Sequence, residues 1–259
     1  MSVSDDLVPL LKKLRLSGVL HSLDLRVRQA VDDDLAVEEF LYRVLSDEVE
    51  RRDVKQLDQR FSRANFEHNT TLEDFDFLFN PQVPKAKVLD IATCAFVNRR
   101  QNVLLLGPTG LGKSHIAQAV GHRACKAGFT VLFTASQDLF KQLRAARGDG
   151  TYDRKLLKFT TPDLLIIDDL GLRQLQYDEP MDLYEIIRLR YQHRSMVITS
   201  NRSPSELGDL FGDPLLASAA MDRLLHEAHI VVLEGDSFRN PPAERRPKKA
   251  KATPNHGKG

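Results

Sequence analysis

Residues 107–115 read GPTGLGKSH, and Gly107 to Ser114 fit G-x-x-x-x-G-K-[ST], the pattern of a phosphate-binding loop. Gly107, Pro108, Thr109, Gly110, Leu111 and Gly112 are expected to wrap the phosphates of a nucleotide. The glycines permit the tight backbone, and free amides at the start of the following helix face the anion. Lys113 is expected to reach the β- and γ-phosphates and Ser114 to bind Mg²⁺, with His115 opening the helix behind them. A glycine-rich turn matching by chance is the competing reading. It weakens because an apolar strand, NVLLLG, precedes the loop and a helix, SHIAQAVGHRACKAG, follows it. A second chemical element is LLIIDD, Leu164 to Asp169, in which a buried strand delivers two carboxylates at its C-terminal end. Asp168 is placed to hold Mg²⁺, and Asp169 to orient the attacking water. Adjacent carboxylates beside phosphates repel one another unless a cation is bound, so metal is part of this reading. The competing reading is a pair of acids capping the turn before Gly171.

Other residues are more open. Asn201, at the end of VITSN, could set an amide beside the γ-phosphate; Ser200, Asn201 and Ser203 before Pro204 could equally be turn chemistry. Arg223 is either the ion-pair partner of Asp222 or Glu227, which the residues alone favour, or an arginine that completes a neighbouring site. Arg239 can approach phosphate or pair with Asp236. Phe75 and Phe77 are reasonable walls for a base. His226 and His229 have no further ligand nearby and read as packing or surface residues rather than a metal site.

These side chains need a scaffold. From Asn102 onward, short apolar strands (NVLLLG, FTVLFTA, DLLIIDD, SMVITSN) alternate with helical stretches (SHIAQAVGHRACKAG, QDLFKQLRAA, MDLYEIIRLRYQHR). This predicts an α/β fold, a parallel sheet with helices on both faces. VLDIATCAFVNRR, just before it, reads as one apolar helix. Residues from about Asp5 to Arg63 read as all-helical, with Leu7, Leu10, Leu11 and Leu14 on one face. SDEVERRDVKQLDQRFSRANF is a long charged helix whose bases, including Arg51, Arg52 and Lys55, are interleaved with acids; ion pairing is the default, a DNA or partner face the alternative. NTTLEDFDFLFNPQVPKA joins the two parts. The domains expected are 1–68, helical and DNA- or partner-binding; 69–240, nucleotide-binding; and 241–259, a basic, disordered tail. That tail either aids solubility or touches nucleic-acid phosphates.

The 259 residues are 42% hydrophobic and 28% charged, which fits a globular protein, and the formal charge of +1 is not that of a polycation. No apolar run approaches the ~20 residues that span a bilayer. The N-terminus MSVSDDLVPLLKKL carries early acids and lacks the apolar core of a signal peptide, so a cytoplasmic location is expected. Cys94 and Cys125 suit a reducing compartment as small buried hydrophobes.

Taken in order, these pieces resemble the AAA+ ATPases of the DnaA/DnaC group, and within it the IstB family, the ATP-binding helpers of insertion sequences. The resemblance runs through LRLSGVLHSL, TLEDFDF, LLLGPTGLGKSHIAQAVG, LLIIDDLG, RYQHRSMVITSN and DRLLHEAHIVVLEGDSFR. It implies a P-loop AAA+ domain binding ATP and Mg²⁺, preceded by a small all-helical domain and without a C-terminal lid. It implies Walker A roles for Lys113 and Ser114 and a Walker B role for Asp168. Asn201 matches sensor 1, and Arg223 the arginine finger offered to an adjacent subunit. Asp169 stands where many AAA+ proteins have a catalytic Glu, so hydrolysis is expected to be slow. The function implied is an ATPase accessory of transposition. It would form ATP- and DNA-dependent homo-oligomers on double-stranded DNA and recruit or stimulate the transposase of the same insertion sequence, with no membrane partner. A DnaC-like loader of the replicative helicase is the alternative. A metabolic kinase fits less well, because no arginine-rich lid follows the sheet.

Overall fold

A computed structural model describes residues 3–240; the expected basic tail, 241–259, lies outside the described residues. The chain divides into two compact units between Arg63 and Ala64.

The first unit is made of helices α1 (Val3–Lys13), α2 (Ser17–Asp32) and α3 (Val37–Ala64), the last continuing one residue past the boundary. Charge as well as apolar packing joins α2 to α3. Glu48 is 4% exposed and accepts the Gly18 and Val19 amides at the start of α2, where a helix has donors to spare. Arg26 grips Asp47 with both Nε and Nη2, at 2.9 and 2.7 Å, a bidentate pairing that holds the Asp47 carboxyl down to about 2. The interleaved charges of α3 form Arg43–Glu39 and Arg52–Glu48 pairs one turn apart.

The second unit begins with α4 (Lys85–Ile91) and α5 (Ala95–Asn98) and then alternates: β1 (Val103–Leu106), α6 (Lys113–Lys126), β2 (Val131–Ala135), α7 (Ser136–Gly148), α8 (Tyr152–Thr160), β3 (Leu164–Asp168), α9 (Glu179–Arg190), β4 (Ser195–Ser200), α10 (Pro204–Gly208), α11 (Pro214–Leu225) and β5 (His229–Val232). The strands form one sheet in the order β2-β3-β4-β1-β5, parallel throughout. Strands β1, β3 and β4 are buried along their whole length, as expected of a parallel sheet covered on both faces. Gly121 lets α6 lie close on the sheet: a Cβ there would meet Ile166 Cδ1 and Phe66 Cε1, each at 2.7 Å.

Three differences from the sequence reading have local causes. The expected apolar helix over VLDIATCAFVNRR is two helices, because Cys94 between them takes a left-handed φ of 59°. Helix α8 is additional; its burial of Leu156 and Phe159 on one face explains it. HIVV adds a fifth strand at the sheet edge, paired to β1. Among the described residues no helix is long and apolar enough to cross a membrane.

Arg190, at the end of α9, lies at 0% exposure beneath the start of the sheet. Its guanidinium donates to the carbonyls of Phe159, Asp163 and Ser195, tying α8, the approach to β3 and the start of β4 to one group. Burial, with the nearby charge of Arg194, pushes its pKa down to about 9. Replacement by Met takes the guanidinium donors from the Phe159 and Ser195 carbonyls and leaves the Asp163 carbonyl with the Ser195 amide alone. The expected loss is about 3 kcal/mol of stability, read as a lower urea midpoint; an unchanged midpoint would deny the guanidinium this role.

Candidate nucleotide-binding site

The glycine loop leaves the C-terminal end of β1 and enters α6, so the amides and dipole of that 14-residue helix face the loop. Its backbone is anchored to the neighbouring strand by Gly107 N donating to Ser200 O at 3.2 Å. Gly112 precedes the helix at φ 84°, and a Cβ there would meet the Phe75 ring at 2.5 Å, so both the turn and the close aromatic wall require glycine.

Lys113 is 6% exposed, with Nζ donating to the carbonyls of Gly107 and Pro108, each at 2.8 Å. Burial pulls its pKa down, while Asp169 and Asp168 act to raise it. Asp168 is also 6% exposed; burial raises its pKa, against hydrogen bonds from Thr199 and Ser114, and the charges of Asp169 and Glu67 push further upward. Thr199 Oγ1 donates to Asp168 Oδ1 at 2.5 Å and accepts the Asp169 amide at 2.9 Å, so one hydroxyl of β4 fixes the end of β3. Asp169 has a left-handed φ of 54°, and its carbonyl accepts from Ser136 Oγ at 3.0 Å.

A cleft of about 560 Å³ opens over this loop. One wall is the segment that follows α3, laid along α6. Glu67 N and His68 N donate to Gln118 Oε1, and His115 Nε2 donates to the Thr71 carbonyl at 2.8 Å. Phe238 N donates to Gly110 O at 2.9 Å, and the Phe75 and Phe238 rings lie 5.4 Å apart.

The structure brings Phe75, Thr109, Gly110, Gly112, Lys113, Ser114, His115, Asp168 and Asp169 to this cleft. Leu111 is buried at 1% exposure, and Gly107 and Pro108 contribute through the carbonyls that hold Lys113. Phe77 packs on Phe75 at 4.7 Å but lines a neighbouring hollow, under the Lys85 ammonium. Asn201, just past β4, is exposed and does not line the cleft; Thr199 is the residue of VITSN that touches the carboxylates. Arg223 lines a separate cavity of about 440 Å³ with Arg99, Arg100 and His226. Its Nη1 donates to Ala219 O at 2.7 Å, and no ion pair to Asp222 or Glu227 forms among the described residues. Arg239 and Phe238 do line the cleft, and Arg239 opposes the Lys113 charge. Thr199, Gln118 and Phe238 carried no motif of their own. The one available sign was that Thr199 alternates with Asn201 on a strand ending in polar residues.

These residues fit a nucleoside triphosphate and a divalent cation. A buried ammonium with helix amides calls for polyanion, and a buried carboxylate resisting ionisation, hydrogen-bonded to a serine, calls for a cation. Two protein oxygens suffice where phosphates and water complete the shell of Mg²⁺.

The model of the IstB-like ATP binding protein family matches residues 9–245. A putative ATP-binding protein in an insertion sequence of Mycobacterium tuberculosis is 36% identical over 230 residues, 88% of this chain and 92% of that protein. The insertion sequence IS21 putative ATP-binding protein of Pseudomonas aeruginosa is 34% identical over 234 residues, 90% of this chain and 88% of its own. Among solved structures, the replication initiator DnaA bound to AMPPCP and single-stranded DNA superposes with a TM-score of 0.56 at 22% identity. That match covers 66% of this chain and 52% of DnaA, and it is a likeness of fold.

Proposed function

The chain belongs to the IstB-like ATP-binding protein family, and we propose that it is an ATPase helper of transposition that assembles on double-stranded DNA. The fold is the P-loop AAA+ fold and the ligand is ATP. In this reading Lys113 and the loop amides hold the phosphates, while Ser114 and Asp168 hold Mg²⁺, which supplies charge neutralisation at the γ-phosphate. Asp169 orients water, Thr199 on β4 holds the two carboxylates in place, and the Phe75 ring, backed by Phe77, walls the base. Arg239 contacts phosphate in its own subunit. Arg223 serves the site of the next subunit.

One observation carries the assembly. Asp168 and the phosphate loop sit where β3 and β1 end, whereas Arg223 shares its cavity with Asn102, Arg194 and His226, which lie just before β1, β4 and β5 begin. A strand of this length spans about 13 Å, and the two cavities share no lining residue. Arg223 therefore suits a neighbouring copy rather than its own nucleotide, and repetition of that head-to-tail contact yields a ring or a helix. DNA contacts would go chiefly to backbone phosphates, with bending of the duplex offset by many modest contacts. The ATP-bound assembly would recruit or stimulate the transposase of the same insertion sequence, and hydrolysis would dismantle it. The relatives named for insertion sequences favour this over loading of a replicative helicase.

Electron microscopy of the protein with duplex DNA and a non-hydrolysable ATP analogue is the direct test. Multimers that require both DNA and nucleotide are expected. A chain that stays monomeric on DNA whether or not nucleotide is supplied would sink the proposal. Capture of a replicative helicase but not the transposase would redirect it.

A further inference from the structure

Most carboxylates of the nucleotide cleft are already committed. Asp74 accepts from the amide and hydroxyl of Thr71. Asp76 accepts the amides of Leu78 and Phe79. Asp168 is held by Thr199 and Ser114. Glu67 and Asp169 remain: both line the cleft, and neither side chain makes a hydrogen bond or ion pair among the described residues.

The two differ in reach. Asp169 has its amide tied to Thr199 and its carbonyl to Ser136, in a left-handed conformation that leaves the backbone little play. A single methylene carries its carboxylate. Glu67 has one methylene more, and its support is built in. Gln118, 2% exposed and one turn beyond Ser114 on α6, accepts the Glu67 and His68 amides at 3.1 and 3.0 Å. Phe66, the residue before Glu67, meets Ile166 of β3 over Gly121, which sets Glu67 on the Asp168 side of the cleft that both carboxylates line. Phe75 and Phe238 line the same cleft with their rings 5.4 Å apart, Phe75 against Gly112 and Phe238 held to Gly110.

We infer that Glu67 is a second water-activating carboxylate of this site, acting with Asp169 on the nucleophile of ATP hydrolysis. The inference rests on the ATPase reading above. In the step, the water oxygen bonds to the γ-phosphorus as the bond from that phosphorus to the bridging oxygen of ADP breaks. The electron pair leaves on ADP, and the water proton passes to the Glu67 carboxylate and then to solvent. The extra methylene compensates for the short arm of Asp169, and the contribution comes from the strand of chain that follows α3.

The test measures DNA-dependent phosphate release and binding of a fluorescent ATP analogue for the wild type, Glu67→Gln, and Glu67→Gln combined with Asp169→Glu. Glutamine keeps the size of the side chain and the amide anchored on Gln118, so a purely structural role would leave turnover unchanged. Expected for Glu67→Gln is a kcat lower by about 10²-fold with unchanged analogue affinity. The longer carboxylate at 169 is expected to restore part of the turnover. Wild-type kcat in Glu67→Gln overturns the inference and leaves the ATPase reading standing. Loss of affinity together with turnover, or no recovery in the double variant, overturns it as well. A wild type that releases no phosphate under any DNA condition removes the ATPase reading and this inference together.

Discussion

Lys113→Ala is expected to weaken ATP binding by more than a hundredfold and, with it, to abolish nucleotide-dependent assembly. The Lys113 ammonium is buried at 6% exposure and already costly in solvation, with Asp168 and Asp169 as its nearest compensation. Its Nζ donates to two carbonyls of its own loop. A polyphosphate offers it a far stronger partner in a site that water reaches poorly. Removing one member of such a desolvated charge pair costs about 3 kcal/mol or more, over 10² in Kd. Titration of a fluorescent ATP analogue reads the effect directly. Thermal unfolding checks that the loop still folds, since Ala cannot satisfy the Gly107 and Pro108 carbonyls. Retention of wild-type affinity would mean that the phosphates lie elsewhere than on this helix N-terminus.

Four of the five strands were legible in the sequence because they are short, mostly apolar and spaced by helices. LLIIDD and NVLLLG announce both their burial and the end at which they deliver polar groups. The loop was legible for a different reason: GPTGLGKS must satisfy backbone geometry, an ammonium and a hydroxyl at once, and few stretches do so by accident. The other half of the cleft was not legible. Gln118 looks like any polar residue on a helix, and only the packing of the 66–75 segment along α6 turns it into an anchor for two amides. Thr199 was overlooked in favour of Asn201, yet the threonine sits opposite Asp168 once β4 lies beside β3. Arg190 could not be told from its charged neighbours in RLRYQHR, because burial of a guanidinium is decided by three carbonyls far apart in sequence. Local pattern thus carries the elements and the end of the sheet at which chemistry occurs, while long-range hydrogen bonds decide which polar side chains take part.

Arg223→Ala is expected to leave ATP affinity intact and cut hydrolysis by about 10³-fold or more, the range measured for arginines that complete phosphoryl-transfer sites. The sequence favoured an ion pair for this residue, and had one formed, the guanidinium would have been neutralised and unavailable. Instead it rests over the Tyr184 ring at 5.7 Å and on the Ala219 carbonyl, beside Arg99 and Arg100, as an undischarged cation at the wrong end of the sheet for its own nucleotide. The cleft it would serve in a neighbour is rich in carboxylates, with Glu67, Asp74, Asp76, Asp168 and Asp169 along it, which favours docking of opposite charges. A trans role makes a demand that a structural role does not. Asp169→Ala and Arg223→Ala proteins should each be nearly inactive alone yet regain activity when mixed. In a head-to-tail assembly of equal parts, about one interface in four joins the intact Asp169 of one subunit to the intact Arg223 of the next. Recovery should appear only with nucleotide and DNA present and should grow with protein concentration, since it depends on assembly. An Arg223→Ala protein that hydrolyses ATP normally, or a mixture no more active than its parts, would return Arg223 to a purely structural place on α11 and remove the physical basis for coupling nucleotide state to assembly.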